Sequence, residues 1–207
     1  QQGGVSVNNE KVTDPKAIIT LDGETIIKKV LNSTASPANE FTSPLTPGYK
    51  ADLKGHENLK FNADGKFKIA QFTDIHYNGS KASKAALKVL ENVLTQERPD
   101  LIVLSGDIIY GTPAKKNLLD VLNCISKYNI PFVYEFGNHD SEQGLTNREL
   151  YNIARGVKNN ILPDLSNAKE LDYVVKIKER KGKNDAAVLY CLDSHSYPKG
   201  FPKDKSH

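Results

Sequence analysis

Three apolar runs, each ending in polar side chains, dominate the hydropathy pattern of this chain. The first runs through Ile69-Ala70-Gln71-Phe72-Thr73 and ends at Asp74-Ile75-His76. The second, Leu101-Ile102-Val103-Leu104-Ser105, ends at Gly106-Asp107. The third, Pro131-Phe132-Val133-Tyr134-Glu135-Phe136, ends at Gly137-Asn138-His139-Asp140. The middle run is continuously apolar, as a parallel strand buried on both faces must be.

The segments between them have a different period. Ala86, Leu87, Leu90, Val93 and Leu94 recur at helical spacing, with Ser80 or Ser83 available as a cap and Arg98-Pro99-Asp100 as a stop. Pro113 opens a second helix with the stripe Leu118, Leu119, Val121, Leu122 and Ile125. The pattern is β-α-β-α-β. Asp74 to Asp107 is 33 residues and Asp107 to Asn138 is 31, each the length of one right-handed crossover unit. Ligands in such sheets bind beyond the carboxyl ends of the strands, so the three polar endings share one edge.

Outside this region the pattern is looser. Residues 1–64 read as an amino-terminal extension with a linker. Its features are a polar tail to Pro15, a short strand at Ala17–Leu21, a helical turn or strand over Glu24–Leu31, and a proline-containing loop over Asn32–Gly48. Leu59–Phe61 and Phe67–Ile69 flank Asn62-Ala63-Asp64-Gly65 and predict a hairpin. After Asp140 a helix is expected over Asn147–Val157. Two strands follow, Asp172–Lys178 and Ala186–Asp193, joined through Lys181–Asp185 as an antiparallel pair continuing the sheet. Ser194–Pro198 reads as a loop.

Composition narrows the picture modestly. Charged residues make up 26% and hydrophobic ones 38% of the 207 residues, an ordinary globular balance. The net charge of +3 comes from dispersed lysines, so no nucleic-acid partner is expected. No apolar run approaches the roughly 20 residues of a membrane span. Cys124 and Cys191 lie far apart in apolar contexts and read as buried free thiols. The chain holds no methionine and no signal-peptide apolar core, which suits a mature exported protein (periplasmic, cell-surface or secreted) and equally a trimmed chain, with export the expectation. Asn32-Ser33-Thr34 and Asn78-Gly79-Ser80 fit a glycosylation pattern by chance, since a glycan at Asn78 would crowd His76. His56 stands alone.

The strand ends carry the chemistry. Asp74 and Asp107 offer carboxylate oxygens, His76 an imidazole nitrogen and Asn138 a neutral carbonyl oxygen. Such mixed donors suit zinc, iron, manganese or cobalt better than calcium. A carboxylate on the middle strand can bridge two ions about 3.5–4 Å apart. His139, next to a ligand, is expected to turn elsewhere and act as an acid or as a cation facing developing negative charge. Asp140 is the carboxylate expected to accept its other N–H and orient it. The alternative is purely structural, with Asn138-His139-Asp140 capping a helix or tying a loop.

Asp-x-His, then Gly-Asp, then Gly-Asn-His-Asp at these spacings resembles the calcineurin-like metallophosphoesterase family, and within it the purple-acid-phosphatase-like subgroup. The resemblance implies an α/β fold, a metallophosphatase-type β-sandwich flanked by helices, with residues 65–207 forming the amino-terminal portion of that domain. It implies a phosphate-ester substrate and two metal ions (Fe, Mn or Zn). Asp74 and His76 would hold the first ion, Asp107 would bridge, and Asn138 would hold the second. His139 would protonate the leaving group, and a metal-bound hydroxide would attack phosphorus.

Two departures qualify it. Asp107-Ile108-Ile109-Tyr110 matches the purple enzymes' tyrosine motif, but His76 stands where those enzymes have glycine, so Tyr110 reads as a packed or rim aromatic. The family's later His and Gly-His-x-His have no counterpart after Asp140; His195 reads as a loop residue and His207 as a poor ligand. The resemblance then implies a sandwich incomplete at the carboxyl end, to be completed by a missing half or a partner chain. The alternative is a truncated or non-catalytic module that keeps the fold and binds metal or ligand weakly.

Overall fold

The computed structural model describes residues 59–181 and 184–197, together with a two-residue antiparallel ladder that pairs Ser6–Val7 with Glu10–Lys11. The strand expected at Ala17–Leu21 and the element at Glu24–Leu31 lie outside the described residues, as do His56, Pro198 and His207.

Three parallel strands form the central sheet: β1 (Ile69–Phe72), β2 (Leu101–Ser105) and β3 (Phe132–Glu135), in that order. Ile69 pairs with Leu101 and Ile102 with Phe132, so the three carboxyl ends lie side by side as expected. The crossovers are α1 (Lys81–Glu97) and α2 (Ala114–Ser126). Ser80 caps α1 by accepting from the Ser83 N–H at 3.2 Å. Arg98 closes it in a left-handed conformation, its N–H on Leu94 O. A third helix, α3 (Asn147–Arg155), starts from a capping box between Thr146 and Glu149. It stops two residues short of the expected Val157.

Alternation along β1–β3 divides the sheet between two partners. Ala70, Ile102 and Leu104 share one cluster with Leu90 and Leu94 of α1 and with Leu118, Val121 and Leu122 of α2. The opposite face presents Ile69, Gln71, Val103, Ser105 and Glu135 toward Leu189 and Cys191 across a cavity. Both cysteines are free and buried, as expected. No described helix is long and apolar enough to cross a membrane.

Leu189 and Cys191 belong to a second sheet, β4 (Tyr173–Lys178) paired antiparallel with β5 (Asp185–Cys191). The antiparallel pairing is the expected one, but the pair does not continue the first sheet. The outer edge of β3 is already taken. Phe132 N–H donates to Asn159 O, and Phe132 O accepts from Ile161 N–H. One step further along, the Tyr173 hydroxyl accepts from Tyr134 N–H at 3.2 Å and donates to Tyr134 O at 3.1 Å. With those groups satisfied, no strand can add there, and β4–β5 stacks across the face instead.

The turn at Asn62–Gly65 also differs from a hairpin. It closes as expected, with Asn62 Oδ1 accepting from Asp64 and Lys66 N–H at 2.9 Å each. Its arms then separate. Phe61 N–H reaches Lys178 O, and Lys178 N–H reaches Leu59 O, so the first arm joins β4 while the second leads into β1. The turn therefore carries the chain from one sheet to the other, and Leu59 is already buried in the core.

Candidate metal centre

Past its last strand residue each segment bends sharply. Asp74, His76 and Asp107 all have positive φ, at 53°, 48° and 52°. Non-glycine residues pay about 1–2 kcal/mol for that conformation, so something must hold them there. Part of the hold is a backbone ladder beyond the sheet: Asp74 N–H to Gly106 O, His76 N–H to Asp107 O and Tyr77 N–H to Ile108 O, at 3.1, 3.0 and 2.9 Å. The bends turn side chains that would alternate across a strand onto one rim.

On that rim His76, Asp107 and His139 bring potential ligand atoms within 4.8 Å of one another. His76 Nε2 lies 3.4 Å from Asp107 Oδ2 and 3.8 Å from Asp74 Oδ1. The two oxygens of Asp107 have separate partners, since Oδ1 accepts the His139 backbone N–H at 2.9 Å. Asn138 donates through Nδ2 to the Tyr197 hydroxyl at 2.9 Å, which leaves its carbonyl oxygen available. The half-exposed Tyr110 ring stacks on His76, with centroids 5.6 Å apart, and meets the edge of His139 at 5.2 Å. Tyr110 is thus a rim aromatic. His195 sits in its loop near Asp193 and Glu170, outside this group.

Donor type and spacing fit a transition-metal ion. Donor atoms bound to one ion at about 2.0–2.2 Å stand at most about 4.4 Å apart, and the separations of His76 Nε2 from Asp107 Oδ2 and from Asp74 Oδ1 lie inside that limit.

His139 and Asp140 behave differently from expectation. The His139 ring lies within the group rather than turned away from it, because the chain enters a 3-10 turn over Asp140–Gln143 immediately after it. Its orienting carboxylate is Glu142, whose Oε2 is 2.7 Å from Nδ1. Three residues on a helical turn put the two side chains on one face, and this spacing is the sequence signal for the pair. Asp140 is fully buried and faces the backbone. Its Oδ2 accepts from Asp107 N–H and Gly137 N–H at 2.8 Å each, and its Oδ1 from Ile108 and Ile109 N–H at 3.0 and 3.1 Å. One carboxylate thereby clamps the end of β2 to the end of β3. Burial raises its pKa above the ordinary carboxylate value, with the four N–H donors opposing.

The hydrogen bond that the His139 ring donates to Glu142 raises its pKa, against a smaller opposing effect of burial. A raised histidine pKa stabilises the folded state below the ordinary value, and that stabilisation is lost as pH rises through the folded value. In metal-free protein, NMR titration should show His139 holding its proton above the usual histidine range. Glu142→Gln should bring the midpoint down with little change in melting temperature. An unchanged midpoint would remove Glu142 from this role.

The model of the calcineurin-like phosphoesterase family matches residues 67–201, more than half of the chain. Among curated relatives, "Probable inactive purple acid phosphatase 14" of Arabidopsis thaliana is 29% identical over 126 residues, 52% of this chain and 31% of that protein. "Phosphatase DCR2" of Saccharomyces cerevisiae is 30% identical over 168 residues, 69% of this chain and 29% of that protein. An uncharacterized metallophosphoesterase, YkuE of Bacillus subtilis, is 36% identical over 76 residues, 36% of this chain and 26% of that protein. The chain thus spans under a third of the length of each.

Proposed function

This chain belongs to the calcineurin-like phosphoesterase family, and from that premise we propose that it forms part of a metal-dependent hydrolase of phosphate esters with a two-metal site on the β1–β3 rim. The observation that carries the reading is the convergence of His76, Asp107 and His139 beyond three adjacent parallel strands. Asp74 and His76 would hold one ion, Asn138 the other, and Asp107 would lie between them. Bound there, the ions would polarise the phosphoryl oxygens and lower the pKa of an attacking water.

The chain's own groups supply the rest. Asp107 Oδ1 is fixed by the His139 N–H, which leaves Oδ2 directed at His76. The Glu142 contact at Nδ1 leaves His139 Nε2 as the face turned to a substrate, where a protonated ring can donate to a leaving oxygen. Asp140 acts through the backbone it clamps rather than through the His139 ring.

A second reading, a non-catalytic module, draws on the word "inactive" in the names of several Arabidopsis relatives. One experiment separates the two. The product of the complete gene is assayed with Mn, Zn and Fe in turn on an aryl phosphate and a bis-aryl diester. Turnover on either substrate, abolished by Asp107→Asn, is the expected result. Metal uptake with no turnover under any condition leaves the non-catalytic reading.

A further inference from the structure

The cavity between the two sheets holds a carboxylate that the metal rim does not use. Its volume is about 530 Å³. Glu135, the last residue of β3, lines it, is 8% exposed, and has no hydrogen-bond partner at either oxygen. The Tyr173 hydroxyl is close, but it has a single proton to divide between Tyr134 O, to which it donates at 3.1 Å, and this carboxylate. Two other buried acids, Asp193 and Asp172, lie nearby. They are partnered: Asp172 Oδ1 accepts Asp193 N–H, and Asp193 accepts from Asn147 Nδ2 and His195 N–H. Glu135 alone is left open.

An ionised carboxylate without donors in such a place costs several kcal/mol unless it is protonated or a cation reaches it. Burial pushes its pKa well up, Asp193 and Asp172 push the same way, and only the Tyr173 hydroxyl opposes them. The surroundings select the kind of cation. Ile69, Val103, Phe136 and Leu189 make the walls largely apolar, and Gln71 Nε2 donates to Ser105 Oγ at 2.9 Å. A multidentate metal site is not assembled, because no three ligand-type side chains including Glu135 converge among the described residues. An anionic ligand would meet Glu135, with Asp193 and Asp172 adding to the repulsion.

We propose that this cavity binds a small primary alkylammonium, with its N–H donors on the Glu135 carboxylate and its hydrocarbon stem between Ile69, Val103 and Leu189. Such a ligand supplies the charge and the donors Glu135 lacks, and replaces open space against apolar walls with contact.

The test keeps the metal rim out of play. Protein in excess chelator is titrated with n-hexylamine hydrochloride at neutral pH, and separately with n-hexanol, while backbone amide NMR spectra are recorded. Hexylammonium should give saturable shifts at Val103, Glu135 and Leu189 and should bind at least tenfold more tightly than hexanol. Glu135→Gln, isosteric and uncharged, should lose that preference and bind the two probes alike. Equal binding of amine and alcohol to the wild type overturns the proposal even if the variant fails to fold. So does amine binding that Glu135→Gln leaves intact. Because no metal or turnover is involved, failure here is separable from failure of the hydrolase reading.

Discussion

Asp140→Asn should destabilise the folded chain by about 3–5 kcal/mol, on the reasoning that each buried donor left without a partner costs about 1–3 kcal/mol. Four backbone N–H groups point at the two Asp140 oxygens, two at each. An asparagine keeps one oxygen and turns an NH₂ toward the other pair of donors, so two N–H groups lose their acceptor and face another donor. For a domain whose whole stability is about 5–15 kcal/mol, that is a large share. Urea denaturation followed by circular dichroism should show a marked fall in the midpoint at unchanged slope. The result also separates two roles for this residue. If Asp140 oriented the His139 ring, the substitution would move the histidine titration and spare stability. The geometry predicts a large stability loss from Asp140→Asn, whereas Glu142→Gln moves the titration.

The confusion between those two acids shows where sequence reasoning stops. Both lie within three residues of His139, and both are chemically able to hold an imidazole. The choice depends on the 3-10 turn that carries Asp140 inward and Glu142 back over the ring. It depends equally on the end of β2 presenting Asp107, Ile108 and Ile109 N–H groups that need an acceptor. Neither fact is local. By contrast, the β-α-β-α-β order and the shared edge of Asp74, Asp107 and Asn138 were legible, because apolar period, helix stops and crossover length are all local signals. The second sheet was half legible. The pairing of β4 with β5 follows from their pattern and turn, but their place does not. It is decided by Tyr173, 39 residues from Tyr134, covering the β3 edge with its hydroxyl. The burial of Glu135 is illegible for a related reason, since a lone acid at a strand end looks like a solvent-facing residue until a second sheet is stacked over it.

Gly137→Ala should be a severely damaging change on the rim although it replaces no ligand residue. A Cβ at Gly137 would stand 2.1 Å from Asp107 Oδ1, 2.6 Å from its Cγ and 2.5 Å from its backbone nitrogen. The obstacle is space, because Gly137 does not occupy the left-handed region. The neighbouring Gly106 shows the same crowding from the other side, where a Cβ would meet Gly137 N at 2.7 Å. The two loop backbones touch, and Asp107 has nowhere to retreat: its Oδ1 is on His139 N–H and its own N–H is on Asp140. Relief requires the β2 and β3 ends to part, which breaks the Asp140 clamp and moves Asp107 Oδ2 away from His76. Overpacking of this kind costs about 1–3 kcal/mol where neighbours can shift, and more where, as here, one of the crowded atoms is a backbone nitrogen and the others belong to a carboxylate held by its own hydrogen bond. Stability and metal affinity should therefore fall together, read by thermal melting and by calorimetric titration with Zn or Mn. Gly65→Ala is the control. Gly65 has φ of 71° and nothing within 4 Å of its added Cβ, so it should cost about 1–2 kcal/mol of left-handed strain and leave metal affinity unchanged. If Gly137→Ala kept full metal affinity, the contact between the two loop ends would not be what positions Asp107.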